Sequence, residues 1–252
     1  MPSIRGQNIL VIGGSSGIGA AVAKLAAEEG VHVSIASSNA ARVQKAIASI
    51  QAAVPGVQIA GYTCDVNHDD VESNLEQLFA DVTLAANSLL DHVIYTAMSL
   101  DIKPVTEVSA GYLRSSVQFG YVVPFLIAKL ATRYMKPNHS SSITFTTGRL
   151  AEKPMHGAAV VSGCASSLYG TTRGLALDLA PIRVNLVSPG VTDTGLLGSG
   201  EKRAQRVEVM AKESVLGKIA SPEEVAEAYV YLMKDTNTTG TCVRTNGGVL
   251  LK

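Results

Sequence analysis

Glycines and serines near the amino end are the first residues whose spacing suggests chemistry. The run Gly13-Gly14-Ser15-Ser16-Gly17-Ile18-Gly19 follows an apolar stretch and leads into an alanine-rich helical pattern. Gly13 permits a tight turn, Gly17 lets a backbone approach a pyrophosphate, and Gly19 allows close helix–strand packing. The N-terminus of the helix then turns free N–H groups and a positive dipole end toward the negative charge. Ser15, Ser16 and Ile18 belong to the same turn. A glycine cluster elsewhere would be only a turn; between a strand and a helix it predicts a nucleotide site.

A second cluster selects the nucleotide. Ser37-Ser38-Asn39 closes the next apolar run, and Arg42 follows. Sites that hold free ribose hydroxyls usually place Asp or Glu here. This chain has no carboxylate to repel a 2′-phosphate, and two hydroxyls, an amide and a guanidinium can hold one. The expected cofactor is NADP. Asn39 can also cap the following helix, which does not exclude a phosphate contact.

The elements that must position these groups alternate along the chain. Strand-like apolar runs occupy 8–12, 31–36, 57–64, 91–97, 142–147, 182–187 and 241–245. Helical patterns fill 18–29, 40–53, 69–85, 111–134, 158–179 and 222–233. Such alternation predicts an α/β fold: a doubly wound, parallel, seven-stranded sheet of the Rossmann type with helices on both faces. One domain over 1–252 is expected. Asp69 and Asp70 are read as starting a helix, and Ser221-Pro222-Glu223-Glu224 as a cap, a proline and first-turn acids. The piece 192–200 reads as a mobile loop near a site.

Composition narrows the function classes. Among 252 residues, 21 Lys+Arg balance 21 Asp+Glu, so a phosphate-backbone partner is not expected. Cys64, Cys164 and Cys242 are too widely spaced for a zinc pattern or a disulfide framework, and no metal is expected. Residues 1–7 lack an apolar signal core, so a cytoplasmic setting is expected. The uncharged run 154–172 reaches about nineteen residues, near spanning length. Its Gly, Ser, Thr and Cys content reads as a loop plus a buried or subunit-facing helix, and no membrane partner is expected.

With these motifs the chain resembles the short-chain dehydrogenase/reductase family over nearly its full length. Cys64-Asp65-Val66 is similar to the family's adenine-contacting Asp after strand three. The stretch 180–190, ending Ser188-Pro189-Gly190, matches the strand-six signature; Val191 and Thr194 then fall where the family holds the nicotinamide carboxamide and phosphate. Gly240 and Asn246-Gly247-Gly248 match the last-strand ending. Tyr95-Thr96-Ala97-Met98 occupies the strand-four motif, and Ala97 counts among the cofactor positions.

The resemblance implies a Ser-Tyr-Lys relay with a helper Asn, in which Tyr donates the proton. Aligned from 172–179, the Tyr position falls on Val161 and the Lys position on Ala165. The Ser position falls on Gly148 and the helper on Gln118. A divergent branch of the family also lacks Tyr and Lys, and its turn after strand five resembles Thr146-Thr147-Gly148-Arg149. Candidates for the missing chemistry are Thr147, to hydrogen-bond a substrate carbonyl, Arg149, to polarise it, and Gln118, to hold a water or amide. Tyr169 lies on the helix of Val161 but about 12 Å further along, so packing is its expected role. Tyr95, Tyr121 and His156 are near the pocket by analogy only.

Three readings follow. The first is an NADP(H)-dependent oxidoreductase with a non-standard active site, acting on a small organic substrate. The second is a non-redox cyclase or isomerase on the same scaffold, and the third a catalytically silent nucleotide sensor. The charge-poor patterns 111–134 and 158–179 lie where family members pair, so a homodimer or homotetramer is expected.

Overall fold

The computed structural model describes residues 1–252, apart from the side chain of residue 202. Seven parallel strands form one sheet in the order β3-β2-β1-β4-β5-β6-β7. They are β1 Asn8–Ile12, β2 His32–Ser37, β3 Ile59–Thr63, β4 His92–Tyr95, β5 Ser142–Thr146, β6 Arg183–Pro189 and β7 Cys242–Thr245. One row of register runs Ala36↔Ile12↔Tyr95↔Phe145↔Leu186↔Cys242. The expected fold class is therefore the observed one. β1 and β6 are buried along their whole length, as strands covered on both faces must be.

Helices cover both faces. One core packs α1 Gly17–Glu28, α2 Ala40–Ala53 and α8 Pro222–Lys234 against Ile9, Val11, Val33 and Ile35. The alanines of α1 (Ala21, Ala23, Ala26) let it lie close to Val225 and Tyr229 of α8. The opposite core packs α3 Val71–Ala86, α5 Val123–Tyr134 and α6 Ala159–Asp178 against Leu10, Val93, Phe145 and Leu186. Ser221 and Glu224 cap α8 reciprocally, satisfying N–H groups the helix itself leaves free.

Three expectations are corrected. The pattern 111–134 is not one α-helix: α4 Ala110–Val117 passes into a π-helical segment, Gln118–Val122, before α5. A Cβ on Gly120 would stand 2.7 Å from the Cys164 carbonyl oxygen, so only glycine lets this segment approach α6. The piece 192–200 is not a plain loop. Thr192 bridges to Ala220, Thr194 caps a 3₁₀ turn at Gly195–Leu197, and α7 Gly200–Glu213 starts there. None of the described side chains of α7 is fully buried, and its short stripe of Val207, Met210 and Ala211 is only partly covered and lies among charged residues. Lastly, α3 starts at Val71, and Asp70 makes no side-chain capping bond.

Candidate active site

β1 and β4 are neighbours although β2 and β3 intervene in the chain. The order in which strands are added therefore reverses between them, and the crevice beyond their carboxyl ends is where open α/β sheets bind ligands. The glycine-rich turn fills that crevice. Gly13 and Gly17 take left-handed backbone conformations, at φ +93° and +53°. The N–H groups of Gly13 and Gly14 both donate to the Ala36 carbonyl (2.8 and 3.2 Å), tying the turn to β2. A Cβ on Gly19 would lie 2.3 Å from the Gly13 oxygen and 2.5 Å from Thr96 Oγ1. Ser16 precedes α1 in an extended conformation and makes no side-chain capping bond. The first N–H groups of α1 thus lack a side-chain acceptor from Ser16, and the left-handed turn at Gly13 and Gly17 leads directly into them. This fits a pyrophosphate.

The same contacts gather residues far apart in the chain. A Cβ on Gly13 would meet Ala97 N at 2.6 Å, and one on Gly17 would meet Thr194 Cγ2 at 3.0 Å. A Cβ on Gly190 would lie 2.8 Å from Asn246 Cα, and Gly190 donates its N–H to the Thr245 carbonyl. The segments after β4 and β6 therefore reach the glycine turn, and the segment after β7 packs on the one after β6. Ser37, Ser38 and Asn39 stand at the end of β2. Asn39 Oδ1 accepts the Arg42 N–H (2.9 Å) and caps α2. The Arg42 guanidinium is exposed and has no hydrogen bond or ion pair among the described residues. Asp65 is exposed beyond β3, and its Oδ1 accepts from Asn67 N.

The three candidates for replacement chemistry are engaged elsewhere. Thr147 Oγ1 donates to the Ala165 carbonyl (2.8 Å), so its proton is committed and only acceptor capacity remains. Gln118 opens the π-helical segment and donates Nε2–H to the Val66 carbonyl (2.9 Å), leaving its Oε1. Arg149 is ion-paired with Glu213 at the end of α7, joining the turn after β5 to that helix. On α6, the first turns carry Val161 and Ala165, both half-buried, and the helix has no lysine.

Four aromatic or imidazole side chains considered from the sequence lie in different settings. Tyr95 is buried, and its hydroxyl donates to the Phe119 carbonyl (3.1 Å). Tyr121 and His156 are exposed. Tyr169 is partly buried against the core of its face, and burial, then Glu152 and Cys242, push its phenol pKa up. A phenol raised in this way holds its proton more tightly.

Sequence reading missed Glu152. It follows the turn after β5 and accepts from Arg244 Nε (2.7 Å) on β7 and from buried Ser188 (3.3 Å) just before Pro189-Gly190. Burial raises its pKa, but the Tyr169 and Arg244 hydrogen bonds, the Arg244 charge and Ser188 together hold it below the usual carboxylate range. Its partner stands 92 positions away, so no local spacing signals the pair.

The comparisons with known proteins agree with this geometry. A model described as an SDR-like Rossmann domain matches residues 3–252. The short-chain dehydrogenase/reductase ATR9 of Stachybotrys chlorohalonatus is 49% identical over 253 residues, covering 100% of both chains. The short-chain dehydrogenase/reductase malC of Malbranchea aurantiaca is 37% identical over 99% of this chain and 96% of its own. A solved structure of MalC reductase/Diels-Alderase from Malbranchea aurantiaca superposes with a TM-score of 0.93, covering 99% of this chain and 98% of that one. The chain belongs to the short-chain dehydrogenase/reductase family, oxidoreductases that use NAD(P)(H) on small molecules.

Proposed function

We propose that the chain is an NADPH-dependent reductase that acts on a small organic electrophile without its family's proton relay. Bound NADPH supplies a hydride. Gly13, Ser15, Ser16, Gly17, Ile18 and Gly19 hold the pyrophosphate, and Ser37, Ser38, Asn39 and Arg42 the 2′-phosphate. Asp65 faces the adenine, and Ala97, Pro189, Gly190, Val191 and Thr194 border the nicotinamide. On the protein side, Gly148, Val161 and Ala165 offer no proton, Thr147 has spent its own, and Arg149 is paired. Gln118 keeps a free oxygen that can orient a donor group on the substrate.

The observation that supports the reading is this pairing of a glycine turn before an uncapped helix with Val161 and Ala165 at the relay positions of α6. A substrate already polarised, such as an iminium ion, becomes neutral on taking a hydride and needs no proton. Simple ketones leave an alkoxide, which does need one, so they are poor substrates. The test is a fluorescence titration with NADPH and NADH, followed by a screen of electrophiles for NADPH oxidation. NADPH binding with consumption upholds the reading; binding with neither consumption nor product overturns it.

A second reading is a non-redox cyclase on the same scaffold, favoured by the solved relative described as both reductase and Diels-Alderase. Product formed without NADPH oxidation would select it. The reading is completed by one cytoplasmic domain over 1–252 that assembles as a homodimer or homotetramer. Leu113, Val117, Tyr121 and Phe125, exposed along α4 and its continuation, supply an apolar face for that assembly.

A further inference from the structure

The connections that follow β4, β5 and β6 open on one edge of the sheet, because these strands are adjacent and parallel. Two of the connections lean on the glycine turn, through Ala97 against Gly13 and Thr194 against Gly17. The side chains they next present are apolar and strongly exposed. Met98, Leu100 and Ile102 follow β4 (42–45% exposed), Met155 follows β5 (49%) and Leu196 follows β6 (54%). These apolar groups stand on adjacent connections at the carboxyl edge of the sheet, the edge where open α/β sheets bind ligands, and exposed apolar side chains there mark a place where something apolar binds.

Charge is withdrawn from the same connections. Asp101 pairs with Lys103, Arg149 with Glu213, Glu152 with Arg244 and Asp193 with Arg203. Lys153 donates to the carbonyls of Val249 and Lys252. No lysine or arginine of these connections is left to receive an acid, and Val161 and Ala165 add none from α6. An anionic ligand here would lose its hydration without gaining a counter-charge.

We infer that this cleft takes a bulky apolar substrate, neutral or cationic, and discriminates against carboxylates and phosphate esters. The inference uses the reductase reading only for the place of the cleft beside the nucleotide turn.

The test uses the full chain without nucleotide, so that no hydride can move and no nicotinamide cation stands beside the cleft. N-methylacridinium, a fluorescent tricyclic cation, is titrated by fluorescence anisotropy, with acridine and acridine-9-carboxylate as competitors. The expected result is saturable binding, competition by acridine, and competition by the carboxylate at least about tenfold weaker. Leu100→Ser and Met155→Ser should each weaken acridinium binding by about tenfold while leaving NADP⁺ affinity as it was. Both side chains are exposed, and NADP⁺ affinity reports that each variant is folded. Equal or tighter binding of the carboxylate, unchanged affinity in both variants, or no saturable binding overturns the inference. Repeating the titration with NADPH separates the two readings. Saturable binding without NADPH oxidation upholds the apolar cleft and counts against the reductase.

Discussion

Replacing Arg42 by alanine isolates the choice between NADPH and NADH. The guanidinium is exposed and unpartnered among the described residues, and the bond from its backbone N–H to Asn39 survives the substitution. Folding stability should therefore change by less than about 0.5 kcal/mol. A hydrogen bond to a charged group is worth about 1.5–3 kcal/mol, and solvent exposure puts Arg42 at the lower end. A loss of about 1.5 kcal/mol corresponds to NADPH binding roughly tenfold weaker. NADH, without the 2′-phosphate, should bind Arg42→Ala as it binds the unaltered protein. Added salt should weaken NADPH binding in the unaltered protein more than in the variant, since the lost term is a screened charge contact. Titration of both nucleotides by fluorescence at two ionic strengths reads all of this. An equal loss for NADH, or no loss for NADPH, refutes the 2′-phosphate role.

Other outcomes follow from the same geometry. Gly19→Ala places a methyl 2.3 Å from the Gly13 oxygen, where only backbone movement relieves it. NADPH and NADH binding should fall together and stability by about 1–3 kcal/mol, checked by titration and thermal unfolding; retained binding would contradict the cradle. His92 is buried between Ser142 and Gln7, and burial, then Arg183 and Lys136, lower its pKa from 6.5 to about 3. The unfolded chain takes that proton first, so stability held above pH 6.5 is lost as pH falls toward 3, by up to about 5 kcal/mol. His92→Gln should flatten this stretch of the stability–pH curve measured by denaturant unfolding; an unchanged slope assigns the loss to other groups. Glu213→Gln removes the charge that holds Arg149 and should speed proteolysis within α7 in the free protein, read by limited digestion; an unchanged cleavage rate would mean the pair does not hold the helix.

How much of this was legible in the sequence depends on the range of the signal. Gly13, Gly17 and Gly19 are readable because the turn is local and sits between a short continuous apolar run and a helical pattern. The cap at Asn39 and the start of α8 at Ser221 are local for the same reason. α7 was hidden because its stripe of Val207, Met210 and Ala211 is short and lies among charged residues, and the helix is tied by ion pairs such as Arg203–Asp193. The π-helical segment was hidden because its cause is the close approach of Gly120 to Cys164, a contact between separate helices. The commitments of Thr147, Gln118 and Arg149 to Ala165, Val66 and Glu213 are also long-range, so residue type alone overstated what these side chains have left to offer.

The most direct measurement sets a cyclic iminium ion against the ketone of the same carbon skeleton, with NADPH and the unaltered protein. Oxidation of NADPH is followed with each at saturation. Val161 and Ala165 at the relay positions of α6 and the spent proton of Thr147 predict turnover of the iminium ion and little or none of the ketone. Ketone reduction at a comparable rate would mean that a protein group donates the proton after all, and would contradict a reductase without a relay.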